Sequence, residues 1–397
     1  MKMELIATAT FGLEAVVRRE VEALGYEIIK TEDGKVTYSG DERAVVRSNL
    51  WLRSADRVLL KTAEFEAKTF EELFQGVKSV EWERIIPVDG RFTVTCSTVK
   101  SQLHHPPSIQ SIAKKAVVER MKLAYGKDRF PETGADHTIK VTLLKDRVTL
   151  TVDTTGMGLH KRGYRVEDVD APIKETLAAA MIQLSFWNRD RILIDPCCGS
   201  GTIPIEAALI AGNIAPGLNR SFDAEKWGCI DAGLWKEERK AAFDAIIPPD
   251  QVGGRIIARD IDSRAVKAVR ANAAEAGVED YIEISRGDIA RFQPSEQDAA
   301  ATDADQAQDV AAGLWTNAVI VTNLPYGVRI GSEEEIQRIY KVLRSLTSAH
   351  PGWSVFAITS DKEMEKQMGR RADRRRKLYN GNIETTYYQF HGARPKK

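Results

Sequence analysis

Four consecutive residues that follow an apolar run carry groups suited to holding a planar amine. Asn323, Leu324, Pro325 and Tyr326 come shortly after the run at 318–321. An asparagine oxygen and a nearby backbone carbonyl accept both hydrogens of an exocyclic NH₂, while an aromatic ring stacks on the base that carries it. We therefore predict these four residues as the catalytic set of an enzyme acting on such an amine. Asn-x-Pro alone is also typical of a simple turn, so the prediction depends on the motifs upstream.

A second motif, at residues 195–202, has the form of a ligand-binding turn. The apolar run at 191–194 leads into Asp-Pro-Cys-Cys-Gly-Ser-Gly-Thr, and a helix is predicted at 203–211. Glycines at a strand-to-helix turn let the backbone approach a nucleotide-like ligand at the carboxyl edge of an α/β sheet. A dinucleotide dehydrogenase is disfavoured because Pro204 stands where its third glycine packs helix on strand. Asp195 suits a cationic or zwitterionic ligand, such as one with an amino acid end and a sulfonium, better than a pyrophosphate.

Carboxylates stand at the ends of the next two predicted strands. Asp260 ends the first and could accept both hydroxyls of a ribose, while Asp262 or Ser263 caps the helix that follows. Asp288 ends the second and could accept an adenine amine, with the aliphatic side chain of Ile289 covering the ring. A single strand-end aspartate is more often a cap or a turn residue, but carboxylates in register with a Gly-x-Gly turn favour a nucleoside site.

Composition limits the classes of protein that fit. The chain has 397 residues, 43% hydrophobic and 29% charged, which predicts two or three globular domains. Its 57 basic and 57 acidic residues cancel, so a nucleic-acid contact would depend on local patches. The four cysteines form no C-x-x-C pair and the histidines lack ligand spacing, so we expect reduced thiols and no metal. No apolar stretch approaches the roughly 20 residues that cross a bilayer, and we expect a cytoplasmic protein.

The first part of the chain predicts two small α/β units. Residues 1–65 read as β-α-β-β-α-β, the ferredoxin-like order. Alternating strands and helices continue to residue 153 and lead into a basic, aromatic and Gly-rich segment at 156–165. That segment is equally consistent with a solvated turn and with a nucleic-acid contact.

The second part predicts a doubly wound sheet. The polar stretch at 165–171 is typical of a linker, and Pro172 is predicted to open a helix that ends at Trp187. Strands and helices then alternate. The Ala/Asp/Gln-rich stretch at 297–312 is predicted to be a solvated insertion, as a loop or a marginal helix. The basic run at 370–377 is either a solvated helix face or a clamp for phosphates.

In this order the motifs resemble a known family. The chain as a whole is similar to class I S-adenosylmethionine-dependent methyltransferases, and Asn323 to Tyr326 resemble the N-P-P-Y-type tetrapeptide of enzymes that methylate exocyclic or amide nitrogens. More narrowly, it resembles the THUMP-domain RNA guanine-N2 methyltransferases, including the RlmL type that modifies bacterial 23S ribosomal RNA and its transfer-RNA relatives. The residues that carry this narrower resemblance lie at 160–165, 171–179, 195–202 and 213–222.

The resemblance covers nearly the whole chain. It implies a ferredoxin-like domain at 1–65, a THUMP RNA-binding domain at 66–165, and a Rossmann-like methyltransferase domain with a doubly wound mixed sheet at 166–397. It also implies S-adenosylmethionine as cofactor and RNA as partner, ribosomal RNA first and transfer RNA second. The implied cofactor-binding residues are Pro172, Glu175, Thr176, Asp195, Cys197, Gly199, Ser200, Gly201, Thr202, Asp260, Ile261, Asp288 and Ile289.

Two positions depart from the wider pattern. Cys197 replaces the usual first glycine of the donor loop, which fits the narrower family but not the class. Leu324 stands where many base methyltransferases have proline. Since that position would contribute its backbone carbonyl, leucine is compatible with activity, but it weakens the transfer of substrate identity from the N-P-P-Y enzymes.

Several functions remain open at this level. The expected reaction is direct displacement, in which guanine N2 attacks the sulfonium methyl group while Asn323 and the carbonyl near Leu324 hold its hydrogens. A DNA adenine-N6 methyltransferase could use the same tetrapeptide, and so could a protein-glutamine methyltransferase. A noncatalytic RNA-binding factor with a degenerate site is the alternative from a different class.

Overall fold

A computed structural model describes residues 2–169, 172–292, 316–325 and 333–393. Tyr326 and the stretch at 297–312 lie outside these ranges, so the predictions for them stay predictions. The chain divides into two compact units: a first unit of residues 1–9, 17–161 and 217–241, and a second unit of residues 10–16, 162–216 and 242–397. The segment at 217–241 thus groups with the first unit. The predicted boundaries after residues 65 and 165 stay a prediction.

One seven-stranded sheet forms the centre of the first unit. Its strands are Met3–Ala9 (β1), Glu27–Glu32 (β2), Lys35–Gly40 (β3), Ala55–Glu66 (β4), Arg91–Val99 (β5), Asp136–Leu144 (β6) and Arg147–Asp153 (β7). The sheet order is β2-β3-β1-β4-β7-β6-β5. The predicted ferredoxin-like series is confirmed, and its last strand, β4, pairs antiparallel with β7. The two predicted N-terminal units therefore share a single continuous sheet.

Local sequence signals explain how the elements of the first unit begin and end. The helices up to residue 125 are Glu14–Ala23 (α1), Glu42–Trp51 (α2), Phe70–Lys78 (α3) and Pro106–Tyr125 (α4). Thr69 and Glu72 form a capping box at the start of α3. Lys145 and Asp146 have φ of 52° and 65° and turn β6 into β7, as predicted, in the left-handed geometry of a two-residue hairpin.

The second unit contains a second seven-stranded sheet. Its strands are Leu193–Asp195 (β8), Ile256–Asp260 (β9), Ile282–Arg286 (β10), Val319–Asn323 (β11), Ser354–Thr359 (β12), Arg374–Asn380 (β13) and Ile383–Phe390 (β14). The order is β10-β9-β8-β11-β12-β14-β13. Strands β8 to β12 are parallel, and β14 lies antiparallel between β12 and β13. The predicted doubly wound mixed sheet is confirmed.

Helices cover both faces of this sheet. The helices after residue 170 are Glu175–Leu184 (α5), Thr202–Ala211 (α6), Ala232–Asp244 (α7), Ser263–Glu275 (α8), Glu333–Ala349 (α9) and Met364–Met368 (α10). Most of α7 belongs to the first unit, and the other five helices belong to the second. Neighbouring residues of one strand belong to different cores: Val319 and Val321 pack with α5, α6 and α8, while Ile320 packs with α9 and α10. Burial on both faces explains why the strands read as continuous apolar runs rather than alternating ones.

One predicted helix start in the second unit is wrong, and one of the two alternatives for the basic run is excluded. The helix expected from Pro172 begins at Glu175, because Lys174 keeps an extended backbone with ψ of 141° and acts as the N-cap residue. The basic run at 370–377 does not form a helix face. Its second half belongs to β13, where pairing with β14 overrides the helical preference of arginine and lysine.

Candidate active site

The carboxyl ends of β8, β9, β10 and β11 surround a cavity of about 790 Å³, within the range of small-molecule sites. Predicted site residues that line it are Pro172, Asp195, Cys197, Gly199, Ser200, Thr202, Asp260, Ile261, Asp288, Ile289, Asn323, Leu324 and Pro325. Gly201 lies in the turn itself. Glu175 and Thr176 are buried at the start of α5 and do not line the cavity. The structure therefore brings most of the predicted site residues together around one cavity. Their individual roles stay predictions.

The turn between β8 and α6 needs glycine at two positions. Gly199 and Gly201 have φ of 54° and 85°, a region that side chains with a Cβ rarely adopt. A Cβ at Gly201 would also come within 2.9 Å of a methyl carbon of Val269 on α8. The turn is thus held close to α8, and this fixes the backbone that lines the cavity.

Asp195 is a buried carboxyl at the end of β8, with 1% of its surface exposed. It accepts hydrogen bonds from the Thr322 hydroxyl at 2.8 Å and from the Cys197 backbone N–H at 3.3 Å. Burial raises the pKa of Asp195 to about 7; these two bonds oppose the rise, and the nearby charge of Asp260 adds to it. A cation bound next to Asp195 would favour its ionised form.

Asp260 is held by the backbone of two loops. It accepts hydrogen bonds from the N–H groups of Gly199, at 3.0 Å, and Asp262, at 2.9 Å. Burial raises its pKa, and the hydrogen bonds oppose that rise. The sequence left open whether Asp262 or Ser263 caps α8; Asp262 does, by accepting the Arg264 N–H at 2.8 Å. Asp260 is therefore free of the capping role and presents an oriented carboxylate to the cavity.

Asp288 lies at the end of β10 and has two partners. One oxygen accepts the Ala290 N–H at 2.9 Å and caps a short 3₁₀ turn. The other forms an ion pair with Arg338, which reaches the cavity from α9. A carboxylate has about four acceptor positions, so an adenine amine could still bind beside these partners.

Asn323 ends β11 at the cavity. Its side-chain oxygen is buried and has no hydrogen-bond partner within the part of the chain that the structure describes. A buried acceptor without a partner costs about 1–3 kcal/mol, and this one lines the cavity, so a ligand there could supply the missing donor. The Asn323 oxygen could therefore accept a hydrogen bond from an N–H group of a ligand.

The leucine in the tetrapeptide has a packing explanation. Leu324 is 1% exposed and belongs to the core that contains Tyr340 and Leu343 of α9. Its backbone N–H donates to the Ile358 carbonyl of β12 at 3.2 Å. The side chain thus anchors the loop after β11, which accounts for leucine at a position that the wider pattern fills with proline.

Arg165, which the sequence assigned to a linker, connects three parts of the cavity wall. Its guanidinium donates to the Glu175 carboxylate at 3.0 Å and to the Ile173 carbonyl at 2.9 Å. It also reaches the hydroxyls of Ser200, at 3.3 Å, and Thr202, at 3.1 Å. Glu175 therefore faces Arg165, and it supports the donor loop through that arginine. Sequence spacing contains no signal for this contact.

Asn272 is a second residue that sequence reasoning missed. Its side-chain NH₂ donates to the carbonyls of Glu167, at 2.8 Å, and Ser200, at 2.9 Å, and its oxygen accepts the N–H groups of Val166 and Glu167 at 2.9 Å. It is 1% exposed on α8. A polar residue on the buried, apolar stripe of a helix is the signal that could have identified it.

Among the described residues, no group of three His, Cys, Asp or Glu side chains could hold a metal ion. No helix in the described ranges is long and apolar enough to cross a membrane.

Comparison with known protein families gives three consecutive matches. Residues 4–59 match the RlmL ferredoxin-like domain, residues 67–153 match the THUMP domain, and residues 162–389 match the RMKL-like methyltransferase domain. The three matches follow the order that the sequence predicted.

Two curated relatives align with almost the whole chain. The chain is 46% identical to "Putative RNA methyltransferase YpsC" of Bacillus subtilis, over 98% of this chain and 96% of that protein. It is 33% identical to "Ribosomal RNA large subunit methyltransferase K/L" of Syntrophotalea carbinolica, over 98% of this chain. The chain spans only 53% of the length of that second protein.

Solved structures show the same fold. One is SMU.472, "a putative methyltransferase complexed with SAH", with a TM-score of 0.88 and 40% identity, covering 100% of this chain and 99% of that one. Another is "a predicted N6-adenine-specific DNA methylase" from Listeria monocytogenes, with a TM-score of 0.88 and 43% identity, covering 99% and 97%. Both names describe methyl transfer, and only the Listeria name specifies a nucleic acid, DNA.

Proposed function

Because this chain belongs to the RMKL-like family of S-adenosylmethionine-dependent RNA methyltransferases, we propose that it methylates the exocyclic N2 amine of a guanine in large-subunit ribosomal RNA. The observation that carries the proposal is the buried amide oxygen of Asn323 at the end of β11, which has no hydrogen-bond partner among the described residues. It lies at the same cavity as the donor loop. An N–H of the target amine would satisfy it.

The cavity residues fit the cofactor. Asp260, already oriented by two backbone N–H groups, would accept the ribose hydroxyls. Asp288 would accept the adenine amine, and Ile261 and Ile289 would cover the ring. Asp195, buried and with a raised pKa, would be stabilised as a carboxylate by the positive charge of the cofactor. When bound, S-adenosylmethionine supplies an electrophilic methyl group on a sulfonium.

Asn323 would act by orientation. The lone pair of guanine N2 is delocalised into the ring, which makes it a poor nucleophile. Hydrogen bonds from the amine to the Asn323 oxygen and to a backbone carbonyl near Leu324 would favour a pyramidal nitrogen whose lone pair points towards the methyl group. An amide is essentially nonbasic, so Asn323 does not take the proton, which leaves after transfer. Placement and electrostatics supply the rate enhancement.

The target base would have to leave its stack to enter the cavity. Extrusion of a base costs a few kcal/mol, and stacking on an aromatic side chain offsets part of that cost. Tyr326 is the candidate for that stacking, and its role stays a prediction. The THUMP match at 67–153 supports RNA as the polymer that supplies the base.

Ribosomal RNA is preferred over transfer RNA on one ground. A relative of 33% identity is named as a methyltransferase of large-subunit ribosomal RNA, although this chain spans about half of it. We propose the same class of RNA for this chain and expect it to act in the cytoplasm.

A second function, methylation of adenine N6 in DNA, is favoured by the name of the Listeria neighbour. Adenine N6 is also a planar exocyclic amine, so Asn323 could hold it in the same way. The THUMP match favours RNA instead.

Nucleoside mass spectrometry distinguishes these substrates. Ribosomal RNA, transfer RNA and DNA would be isolated from cells with and without the gene, and from cells complemented with the wild-type or the Asn323→Ala protein. We expect N2-methylguanosine to disappear from large-subunit ribosomal RNA and to return only with the wild type. Loss of N2-methylguanosine from transfer RNA instead would overturn the choice of RNA. Loss of N6-methyladenine from DNA would overturn the proposal.

A further inference from the structure

The free edge of the sheet in the second unit carries a dense group of arginines. β13 is the last strand of that sheet and pairs only with β14. Arg370, Arg371, Arg374, Arg375 and Lys377 on and before this strand are exposed. An edge strand that bears many cations resists pairing with other chains, so the charge alone has a structural explanation. Whether each basic side chain has an acidic partner shows which of them are available to a ligand.

Some of these cations are neutralised or tied down within the unit. Arg375 lies 3.4 Å from Glu365, and Lys377 lies 2.7 Å from Glu384. Arg370 donates to the His391 carbonyl at 3.0 Å. The two ion pairs reduce the charge that Arg375 and Lys377 offer, and the hydrogen bond to the carbonyl holds Arg370 in position.

Arg371 and Arg374 differ from their neighbours. Both are exposed, and neither has an acidic partner among the described residues. The nearby acid, Asp373, accepts the His391 backbone N–H at 2.7 Å. The segment before β13 and the first residue of β13 therefore offer two guanidinium groups with their full charge to solvent.

Arg344 of α9 adds a third cation at the same place. A side chain at Gly369 would come within 2.7 Å of the Arg344 guanidinium carbon, so that guanidinium lies directly beside the turn that leads to Arg370. Arg344 is exposed and has no acidic partner in the described part of the chain. An arginine of α9 thus lies beside the segment that leads to Arg371 and Arg374.

We propose that Arg344, Arg371 and Arg374, here called the arginine edge, bind phosphates of single-stranded RNA a few nucleotides away from the target nucleotide. This inference rests on the proposed function. Planar guanidinium groups bind phosphate oxygens in pairs of hydrogen bonds, so three unpaired arginines suit a polyanionic backbone better than an isolated acid.

The arginine edge is connected to the cavity by a strand. β13 runs from Arg374 to Asn380, and the Asn380 side-chain NH₂ lies 3.5 Å from the carbonyl of Pro172, which lines the cavity. Six residue steps in an extended strand span about 20 Å. RNA held at the arginine edge could therefore place a nucleotide only a few positions away at the cavity.

The test is the salt dependence of RNA binding. Fluorescence anisotropy with a short, labelled single-stranded RNA of mixed sequence would compare the full-length wild type with Arg371→Ala/Arg374→Ala between about 50 and 200 mM salt. Each phosphate contact on a single strand contributes about 0.7 to the slope of log affinity against log salt, so we expect the slope to fall by about 1.4. Arg371→Lys/Arg374→Lys should recover most of the slope.

Two controls keep this test separate from the proposed function. Arg189→Ala/Lys267→Ala removes two exposed cations from other elements of the same unit and should keep the wild-type slope. S-adenosylhomocysteine binding, measured by calorimetry, should be unchanged in every variant. If the wild type methylates RNA and Arg371→Ala/Arg374→Ala binds RNA with the wild-type slope, the arginine edge is wrong and the proposed function stands. If the wild type binds S-adenosylhomocysteine but methylates no RNA, the proposed function fails first.

Discussion

The two halves of the cavity differ in how their polar groups are satisfied. In the half that we propose binds the methyl donor, here called the donor half, each carboxylate at a strand end has partners within the protein: Asp195 has Thr322, and Asp260 has the backbone of the turn at Gly199. In the half that we propose binds the target amine, here called the target half, the Asn323 oxygen is buried and unpartnered among the described residues. The donor half is thus organised before any ligand binds, whereas the target half has an unmet hydrogen bond.

This difference fits the two kinds of ligand. A cofactor that is the same in every turnover gains affinity from a preorganised site, because fewer groups are ordered on binding. A target amine must be bound most strongly in the transition state. An acceptor that has no other partner is available for that interaction. Substitutions in the two halves should therefore have different effects. Those in the target half should lower turnover, and those in the donor half should lower cofactor affinity or stability.

The largest effect is expected from Asn323→Ala. Loss of one oriented hydrogen-bonding group at a reacting centre typically costs about 10²–10³ in kcat, so methyl transfer should fall by that factor. S-adenosylhomocysteine affinity should stay within about twofold, since Asp260 and Asp195 keep their partners. Single-turnover methylation and calorimetry measure the two quantities. An Asn323→Ala protein with normal turnover would refute the assigned role.

Arg165→Ala should mainly affect stability. It leaves the buried Glu175 carboxylate without its cation, a loss of about 3 kcal/mol in the free energy of unfolding. Chemical denaturation measures this change. Glu175→Gln in the Arg165→Ala background should recover part of the stability, because it removes the unpaired charge. Full wild-type stability of Arg165→Ala would show that the contacts with Ser200 and Thr202 are dispensable.

Asp195 predicts a pH dependence of cofactor binding. Its pKa of about 7 means that lowering the pH below 7 protonates the carboxyl, so affinity for the cationic cofactor should fall, by roughly tenfold per pH unit if only the ionised form binds. Asp195→Asn should bind weakly at every pH, with a flat profile. Calorimetric titration with S-adenosylmethionine from pH 6 to 8 would measure the change in affinity. A wild-type affinity that does not vary with pH would contradict the prediction.

The stability of the ligand-free protein should show the opposite trend. The folded-state pKa of Asp195 is raised from 3.8 to about 7, so the unfolded chain ionises first. The contribution of Asp195 to the free energy of unfolding therefore decreases as the pH rises from about 4 to about 7 and is constant above that range. Asp195→Asn should remove this contribution, which a comparison of denaturation curves of the two proteins would measure.

The smallest effect is expected from Arg338→Ala. Its ion pair with Asp288 is 59% exposed on the arginine side, and exposed pairs contribute about 0–1 kcal/mol. Cofactor affinity should change by less than about fivefold, and Asp288 keeps its bond to Ala290. A larger loss, measured by calorimetry, would show that Arg338 itself contacts the ligand.

Local patterns in the sequence predicted most of the fold and most of the cavity. Apolar runs identified the buried strands, and Gly-x-Gly with strand-end carboxylates located the ligand edge, since parallel strands bring their carboxyl ends together. The helix after Pro172 was placed three residues too early, because proline is compatible both with a first helical turn and with an extended approach to it. The basic run before Lys377 was not identified as a strand, because pairing with β14 determines it.

The sequence alone determined the order of motifs, the doubly wound sheet and the strand ends at which candidate residues stand, because hydrophobic period, turn residues and caps act over a few positions. Only the tertiary structure decided which polar groups found partners. Asn272 meets Val166 across 106 positions, and Thr322 meets Asp195 across 127. The raised pKa of Asp195 and the unpartnered oxygen of Asn323 arise from burial by distant segments, and no local pattern encodes which segments those will be.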